Sequence, residues 1–507
     1  MRVLLINTNL KGDLFAAPPI GVCYVASAAQ AAGHAVTVLD LCFQRDVAGA
    51  IERSIRHSSP DVVGLSVRNI DNVNLLYPVS YLPDASRIAR TVRELTSVPM
   101  VVGGAGASLD PEGVLRLLEP DYIVVSDGEE AFVKLLHALE FGGTPEAIPG
   151  VGMLRDGRFV STPPGPADFR SIRPDLGRWI DMRPYRKMGS SYNVQTKRGC
   201  PHRCIYCTYN QVLEGSRLRL RPPGEVVDEI EEAVSKFGAD TFEFVDSVFN
   251  DPRDHCLQIL EEIARRPWKA RFTAMGVSPR GLDRSFLALM ERAGFSSFWI
   301  TPESASETMI RNYRKGFTVE DVIRAAEAIQ ETRFATLWSF LIGGPGETNE
   351  TLQESIDFAL KYLRRRRHPP FSLANYYLGI RLYPGTSLWE TARAEGFVDG
   401  QANPLDQLWY LSEGLDLDLA VRQIVDASHQ CPEIWTGFDE QYMSFSRIVA
   451  GCLELFRRPK PYWPVVLRTN QLFLKLGLHH FIGPPNIVPG IRQRLESQGY
   501  RGPLLEG

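Results

Sequence analysis

Three of the chain's eight cysteines fall within eight consecutive positions, as Cys200-x3-Cys204-x2-Cys207 in the stretch Lys197-Arg198-Gly199-Cys200-Pro201-His202-Arg203-Cys204-Ile205-Tyr206-Cys207. Thiolates this close together suit a soft metal centre. Three of them can hold three irons of a 4Fe–4S cube and leave the fourth iron open, whereas an electron-carrying cluster takes four cysteines. An open coordination position is what a catalytic metal site keeps and a structural site lacks. A zinc knuckle would need a fourth Cys or His at close range, and His202 lies inside the loop, where it is cramped as a ligand. Disulfide pairing leaves one of three cysteines over, and nothing marks the chain as secreted. The residues therefore favour iron–sulfur, with zinc as the alternative.

The same spacing, with the aromatic Tyr206 just ahead of the last cysteine, resembles the signature of the radical S-adenosylmethionine (SAM) enzymes. The resemblance implies that Cys200, Cys204 and Cys207 ligate the cube and that its open iron binds the amine and carboxylate of SAM. One electron would then split SAM into methionine and a 5′-deoxyadenosyl radical, which takes hydrogen from an unactivated carbon. The protein's share of such chemistry is binding, orientation and exclusion of water.

A chain of 507 residues predicts two or three domains. A formal net charge of −4 gives no argument for a nucleic-acid partner. No apolar run approaches the roughly 20 residues of a membrane helix. Met1 to Ile6 is apolar but turns polar at Asn7, so it reads as a first strand and not as a signal peptide. These features predict a cytoplasmic enzyme, in keeping with an oxygen-sensitive cluster.

Over residues 1–145, short β-rich runs at 2–6, 36–39, 62–67, 100–102 and 122–125 alternate with helical apolar spacing at 20–32, 48–55, 84–95, 111–118 and 129–139. That alternation predicts an α/β doubly wound, Rossmann-like parallel sheet, with any ligand beyond the carboxyl ends of the strands. Those ends carry Asn7 to Asn9, Ser66 to Asn69, Gly103 to Gly106 and Ser126 to Glu129. A domain of this kind directly ahead of a radical SAM core resembles the cobalamin-binding class of that family. The matching elements are Ala17-Pro18-Pro19-Ile20-Gly21, Gly103-Gly104-Ala105-Gly106-Ala107-Ser108 and Ser126-Asp127-Gly128-Glu129-Glu130. Gly106 stands where the family often has His, and Ser126-Asp127 replaces Gly-Glu. The D-x-H-x-x-G element that supplies a histidine to cobalt in other cobalamin proteins is absent. The resemblance implies cobalamin contacts from Ser66, Asn69, Gly103, Gly104, Ala105, Gly128 and Glu129. It leaves the lower face of cobalt open, or covered by a residue of the 66–74 loop.

Residues 146–190 are rich in Pro, Gly and Arg and read as a linker wrapped on the surface of both domains, with a hairpin around Asp156-Gly157. Residues 191–395 hold six βα repeats, which predict a partial (β/α)6 TIM-like barrel with its chemistry at the strand carboxyl ends. By resemblance, Glu303 in Pro302-Glu303-Ser304 matches the family's G-x-E-S carboxylate and would bind the ribose or amine of SAM; a cap for the next helix is the alternative. Gly343-Gly344-Pro345-Gly346-Glu347-Thr348 resembles the G-x-P-G-E-T turn near adenine and methionine. Asp246 matches an acidic position after the second strand and is the candidate catalytic base, and Tyr383-Pro384-Gly385-Thr386 matches the turn ending strand six. Residues 396–507 read as a mainly helical region, and the resemblance implies that it closes the barrel mouth and helps shape the substrate pocket. Arg364 to His368 is a basic run, read as a solvated helix end, with docking of an acidic electron donor such as flavodoxin or ferredoxin, or of a phosphate-bearing substrate, as the alternatives. His479-His480 reads as an ordinary pair and not as ligands.

The expected activity is cobalamin-dependent radical SAM methylation of an unactivated carbon in a small-molecule substrate, the carbon radical collecting its methyl group from methylcobalamin. The runner-up is a cobalamin-binding radical enzyme that rearranges, cyclises or oxidises. A methylthiotransferase needs three further cysteines in the first domain, where only Cys23 and Cys42 lie.

Overall fold

The computed structural model describes residues 1–435, apart from 12–15, 76–77, 166–167, 169, 171, 365–370 and 432, together with scattered positions beyond 435. His479-His480 and most of the basic run at 364–368 lie outside the described residues.

The first domain is a parallel sheet of β1 (Arg2–Asn7), β2 (Ala35–Asp40), β3 (Val62–Ser66), β4 (Met100–Gly103) and β5 (Tyr122–Val124), in the order β2-β1-β3-β4-β5. Helices α1 (Ile20–Ala31), α2 (Val47–Ser58), α3 (Leu82–Leu95), α4 (Pro111–Leu118) and α5 (Gly128–Phe141) alternate with the strands. Both faces are covered, which is why β1 is apolar at every turn of the pleat. Val3 and Leu5 pack into one core with Cys23 and Phe132, while Leu4 and Ile6 pack into another with Ile51 and Ile88. The strand order reverses at β1, between β2 and β3, so the crevice for a ligand opens at the ends of β1 and β3.

The expected linker is more structured than its composition implies. The hairpin β6 (Val151–Arg155) and β7 (Arg158–Ser161) extends the first sheet, pairing antiparallel with β5. Beyond it the chain is bolted down on the first domain. The Trp179 indole N–H donates to Ser27 Oγ at 2.8 Å, the Tyr185 hydroxyl to Asp40 at 2.8 Å, and Ser190 Oγ to Ala16 O at 2.6 Å. Arg186 reaches the other way, to Asp240. Composition signalled turns here, but apolar residues such as Leu176 and Tyr185, both fully buried, decide the packing.

The barrel uses β8 (Tyr192–Val194), a short antiparallel pair β9 (Lys197–Arg198) and β10 (Arg219–Leu220), then β11 (Thr241–Phe244), β12 (Arg271–Ala274), β13 (Ser297–Glu303), β14 (Ala335–Ile342) and β15 (Phe371–Leu378). Two parallel sheets, β12-β11-β8 and β13-β14-β15, are joined by bridges at Phe272↔Phe295 and Val277↔Ile300. They form the expected partial barrel. Its mouth is flanked by β16 (Ile380–Arg381) paired with β17 (Trp409–Tyr410), and β18 (Ile434–Trp435) adds to β15. The helix Leu417–Gln430 is tied to the helix Asn349–Phe358 by Gln423, which bonds Asn349 and Gln353.

Alternation along the barrel strands separates two environments. Phe242, Phe244, Phe272, Phe298, Trp338, Phe340 and Tyr376 pack in the main core beneath the helices. Their neighbours in sequence, Glu243, Thr273, Trp299, Leu337, Asn375 and Tyr377, therefore take the inward face. That face mixes a carboxylate, an amide and aromatic rings, the make-up of a chamber that holds something other than its own side chains.

Candidate active site

The cysteine loop lies between β9 and β10 and is shaped by its own backbone. Gly199 has φ +86°, and a Cβ there would sit 2.2 Å from Arg217 O, so glycine is required for the turn. Cys200 and Cys204 are buried, Cys207 is half-buried, and all three are free thiols. Burial pushes Cys200 up to about 12, and the neighbouring thiols push the same way, so a Cys200 thiolate is favoured here only with a cation beside it. Backbone N–H groups already aim at the sulfurs, from His202 to Cys200 and from Asn210 and Tyr209 to Cys207. His202 is engaged elsewhere, with Nε2 3.0 Å from Asp251. Among the described residues no three Cys, His, Asp or Glu side chains are grouped to share one ion. A cube makes no such demand, because its ligands bind three different irons. The set fits a 4Fe–4S cluster better than zinc.

Beside this loop stands a cation that sequence reading missed. Lys315 is buried; its Nζ donates to the Tyr206 hydroxyl at 2.9 Å and lies 3.6 Å from Glu303 Oε1. Burial works against the ammonium, yet Cys204, Glu303 and Cys207 together hold its pKa above the ordinary value. Nothing in Arg314-Lys315-Gly316 signals this in sequence; only the fold brings residue 315 to residue 206. Glu303, at the end of β13, is a non-glycine residue at φ +64°, beside a break in the β13–β14 register. Such strain persists where the surroundings over-determine it. Ser306, and not Glu303, occupies the N-cap of the next helix, Glu307–Asn312, which removes the capping alternative.

The turn after β14 is built around Tyr313. A Cβ on Gly344 would lie 2.1 Å from the Tyr313 ring, and one on Gly343, at φ +104°, would lie 2.6 Å from Leu411. Gly346, at φ +78°, faces Asn312, whose side-chain N–H donates to Pro345 O at 2.8 Å. Tyr313 OH donates to Leu341 O at 2.7 Å and accepts from the Gly344 amide at 3.2 Å. The Tyr313 hydroxyl is also within donating distance of Glu347 Oε2, at 3.1 Å, so its one proton is shared between two acceptors. Burial raises Glu347 to about 7, against the donors Thr351 and Tyr313. These glycines pack against protein on at least one side, and the turn they form is rigid.

Asp246 requires a correction. It is fully buried, and its oxygens accept from Thr196 N (2.7 Å), Thr196 Oγ1 (2.7 Å), Lys197 N (3.1 Å) and Lys197 Nζ (3.4 Å). A carboxylate with four donors on it is no free base; it fixes the strand that feeds the cysteine loop.

The first domain's candidate residues divide in two. Ser66, Gly103 and Ala105 are half-buried and Asn69 is exposed, all at the carboxyl edge of the sheet. Gly104 (φ +103°) would place a Cβ 2.5 Å from Val67 O, and Gly106 one 3.0 Å from the Asn69 backbone, so this turn lies flat on the 67–69 loop. Where the family often has His, Gly106 is needed for that closeness. Gly128 is half-buried at the same carboxyl edge, but Glu129 does not line it. Gly128 packs on Val25, and Glu129 is buried with both oxygens held by Arg198, at 2.5 and 3.0 Å. Arg198 also bonds Asp127 at 2.8 Å, Arg219 bonds the same carboxylate, and Ser126 Oγ bonds Leu213 O. A second buried pair, Arg381 with Asp71 at 2.9 Å, ties the 66–74 loop to the end of the sixth barrel strand. The carboxyl edges of both sheets are thereby clamped face to face.

A B12-binding domain profile matches residues 6–136, and the radical SAM superfamily profile matches residues 194–359. The chain is a cobalamin-binding radical SAM enzyme. An uncharacterised methyltransferase of Pyrococcus horikoshii is 26% identical over 386 residues, covering 75% of this chain and 80% of its own. The anaerobic magnesium-protoporphyrin IX monomethyl ester cyclase of Cereibacter sphaeroides is 27% identical over 515 residues, covering 96% of this chain and 78% of its own. The solved radical SAM methyltransferase TsrM of Kitasatospora setae, with cobalamin and a [4Fe-4S] cluster bound, superposes with a TM-score of 0.79 at 24% identity, over 94% of this chain and 99% of that one. That likeness shows a shared fold. The enzyme takes a 4Fe–4S cluster, SAM and cobalamin. Among the described residues no helix is long and apolar enough to cross a membrane.

Proposed function

We propose that the enzyme methylates an unactivated carbon of a small molecule. When bound, the three cofactors supply a 5′-deoxyadenosyl radical and a transferable methyl group. The observation that carries this reading is the pair of buried interdomain clamps, Arg198–Glu129 and Arg381–Asp71, which hold the crevice of the first domain over the barrel mouth. A methyl donor and a carbon radical must meet within bonding reach, and fixed orientation is the protein's main contribution to such a step.

Each group then has a task. Cys200, Cys204 and Cys207 hold the cluster. Lys315 balances their charge and keeps Tyr206 against the loop. Glu303 and the Gly343–Glu347 turn receive SAM, and Ser66, Asn69, Gly103, Gly104 and Ala105 meet the corrin. Asp246 and Arg198 position the loop that carries the cysteines. The electron comes from a reduced flavodoxin or ferredoxin.

The relative of Cereibacter sphaeroides favours a second reading, a cyclisation or oxidation without methyl transfer. Products separate the two. Anaerobic turnover that yields S-adenosylhomocysteine and a substrate heavier by one methylene supports methylation. Formation of 5′-deoxyadenosine with an unmethylated product overturns it.

A further inference from the structure

Three sides of the cysteine loop are taken. Toward the barrel interior stand Lys315, Tyr206 and Glu303, the platform for SAM. Toward the first domain, Arg198 grips Glu129, and Ser126 Oγ bonds Leu213 O. Along a third side the helix Ser387–Ala394 is pinned to the loop: the Leu388 amide donates to Ile205 O at 2.9 Å, and the Ser387 amide to Gln211 Oε1 at 2.8 Å. Gln211 in turn donates to the carbonyls of Cys204, Ile205 and Cys207. The fourth side faces solvent. Pro201 and Arg203 are exposed there, whereas Cys200 and Cys204 on either side of them are buried.

The rim of that open side is positive. The chain after the helix Glu307–Asn312 runs along the loop: the Ile205 amide donates to Tyr313 O at 3.2 Å, and a Cβ on Gly316 would lie 3.2 Å from His202 Nδ1. Arg311 and Arg314, both exposed, thereby come to the rim beside Arg203. From the other flank Arg280, also exposed, is near enough for its charge to act on Asp251. The carboxylates of this face are already spent. Asp251 holds His202 at 3.0 Å, Asp283 holds Arg253 at 2.7 Å, and Glu307 accepts from the Val319 amide at 3.2 Å. Among the described residues none of Arg203, Arg280, Arg311 and Arg314 has a carboxylate partner. A rim of one sign raises the local concentration of a partner of the opposite sign.

We infer that this rim is the docking surface for an acidic protein that carries one electron, a reduced flavoprotein of the flavodoxin kind. Electron transfer between proteins falls steeply with distance, so the carrier has to dock where the cluster lies under the least protein. The outer side of the loop is that place, and its unpaired arginines match an acidic face. In the step itself the flavin hydroquinone is oxidised to its semiquinone and the oxidised cube gains that electron; no bond and no proton crosses the surface. The inference rests on the cluster of the proposed function and not on methyl transfer. It places the donor at the loop and away from the basic run at 364–368.

The test is stopped-flow oxidation of flavodoxin hydroquinone by the anaerobic holoenzyme, read from the semiquinone band. The wild-type rate should fall steeply as salt rises from about 0.01 M to about 1 M, over which the screening length shrinks from roughly 30 Å to roughly 3 Å. Arg203→Glu combined with Arg314→Glu should slow the reaction about tenfold or more at low salt. Arg203→Lys combined with Arg314→Lys should keep most of the wild-type rate. Reduced methyl viologen, a small cation that needs no docking face, should reduce the charge-reversed protein as fast as wild type. Arg364→Glu combined with Arg365→Glu should leave the flavodoxin rate unchanged. A salt-insensitive flavodoxin rate, an unslowed double reversal at 203 and 314, a reversal slowed equally with methyl viologen, or a loss confined to the 364 and 365 variant overturns the inference. Product analysis tests methyl transfer separately. Holoenzyme that methylates with a chemical reductant but ignores the rim charges refutes only the docking surface. Holoenzyme whose flavodoxin rate follows the rim charges but whose product is unmethylated refutes only methyl transfer.

Discussion

Replacing Arg198 by Met removes the guanidinium that holds Glu129 at 2.5 and 3.0 Å and Asp127 at 2.8 Å. Asp127 keeps Arg219, but Glu129, 3% exposed, keeps no side-chain hydrogen-bond donor among the described residues. Breaking a buried ion pair from one side costs about 3–5 kcal/mol, because the remaining charge stays dry. The lost contact between Arg198 and the Tyr24 ring, 4.9 Å from its centroid, adds on the order of 1 kcal/mol. The expected loss is therefore about 4–6 kcal/mol, summed from those two ranges. It is read as the shift in urea unfolding followed by tryptophan fluorescence. Adding Glu129→Gln removes the stranded charge, so the double variant should recover about 1–3 kcal/mol over the single. The pH dependence has a definite sign. Burial raises the Glu129 carboxyl, but the charge and hydrogen bonds of Arg198 outweigh it, and the folded pKa lies below the ordinary value. The clamp's contribution is thus present above the unfolded carboxyl pKa of about 4.3 and is lost as pH falls through the folded value. A single variant within about 1 kcal/mol of wild type, or a double variant with strictly additive losses, would refute the reasoning.

Cys204→Ala should abolish stable iron loading and SAM cleavage after anaerobic reconstitution; retained cleavage, or zinc in place of iron in the wild type, sinks the cluster assignment. Lys315→Met should move the cluster potential negative by on the order of tens of millivolts, since a buried positive charge is removed. EPR-monitored redox titration reads this, and an unmoved potential with Lys315→Met would mean that the ammonium only packs. Gly104→Ala forces a side chain onto Val67 O at positive φ and should cost about 1–3 kcal/mol together with cobalamin uptake, read from the corrin spectrum. Glu347, raised to about 7 by burial, makes stability highest below its unfolded pKa and lower as pH rises to about 7. Glu347→Gln should flatten that slope and be more stable above pH 7 by on the order of 2–3 kcal/mol. A slope that persists in the variant assigns it to another group.

The layout was legible because period and punctuation are local. Gly33 ends α1, Asp110 caps α4, and the alternation of both domains follows from apolar spacing. The cysteine loop was legible because its ligands lie within eight positions. What sequence reading missed depends on contacts between distant residues. Asp246 had the right residue type at the right strand end, but the donors that saturate it come from residues 196 and 197, some 50 positions away. Glu129 matched a cofactor motif, and its partner Arg198 lies 69 positions on. Lys315 had no local signal, and Glu243 reads as an ordinary strand residue until its face is known. In the span 146–190 the turn signal marked the hairpin, but the bonds of Trp179, Tyr185 and Ser190 to distant residues were not legible, because proline and glycine mark bends in packed chain as readily as in slack chain.

The segment through Trp179, Tyr185 and Ser190 leaves the two halves no hinge. Anchored on Ala16, Ser27 and Asp40 at one side and on Asp240 at the other, it acts as a brace, and a clamshell opening would have to tear it off. Cofactors therefore reach the crevice with these four anchors in place, by local movement of the loops at the strand ends and not by the two halves swinging apart.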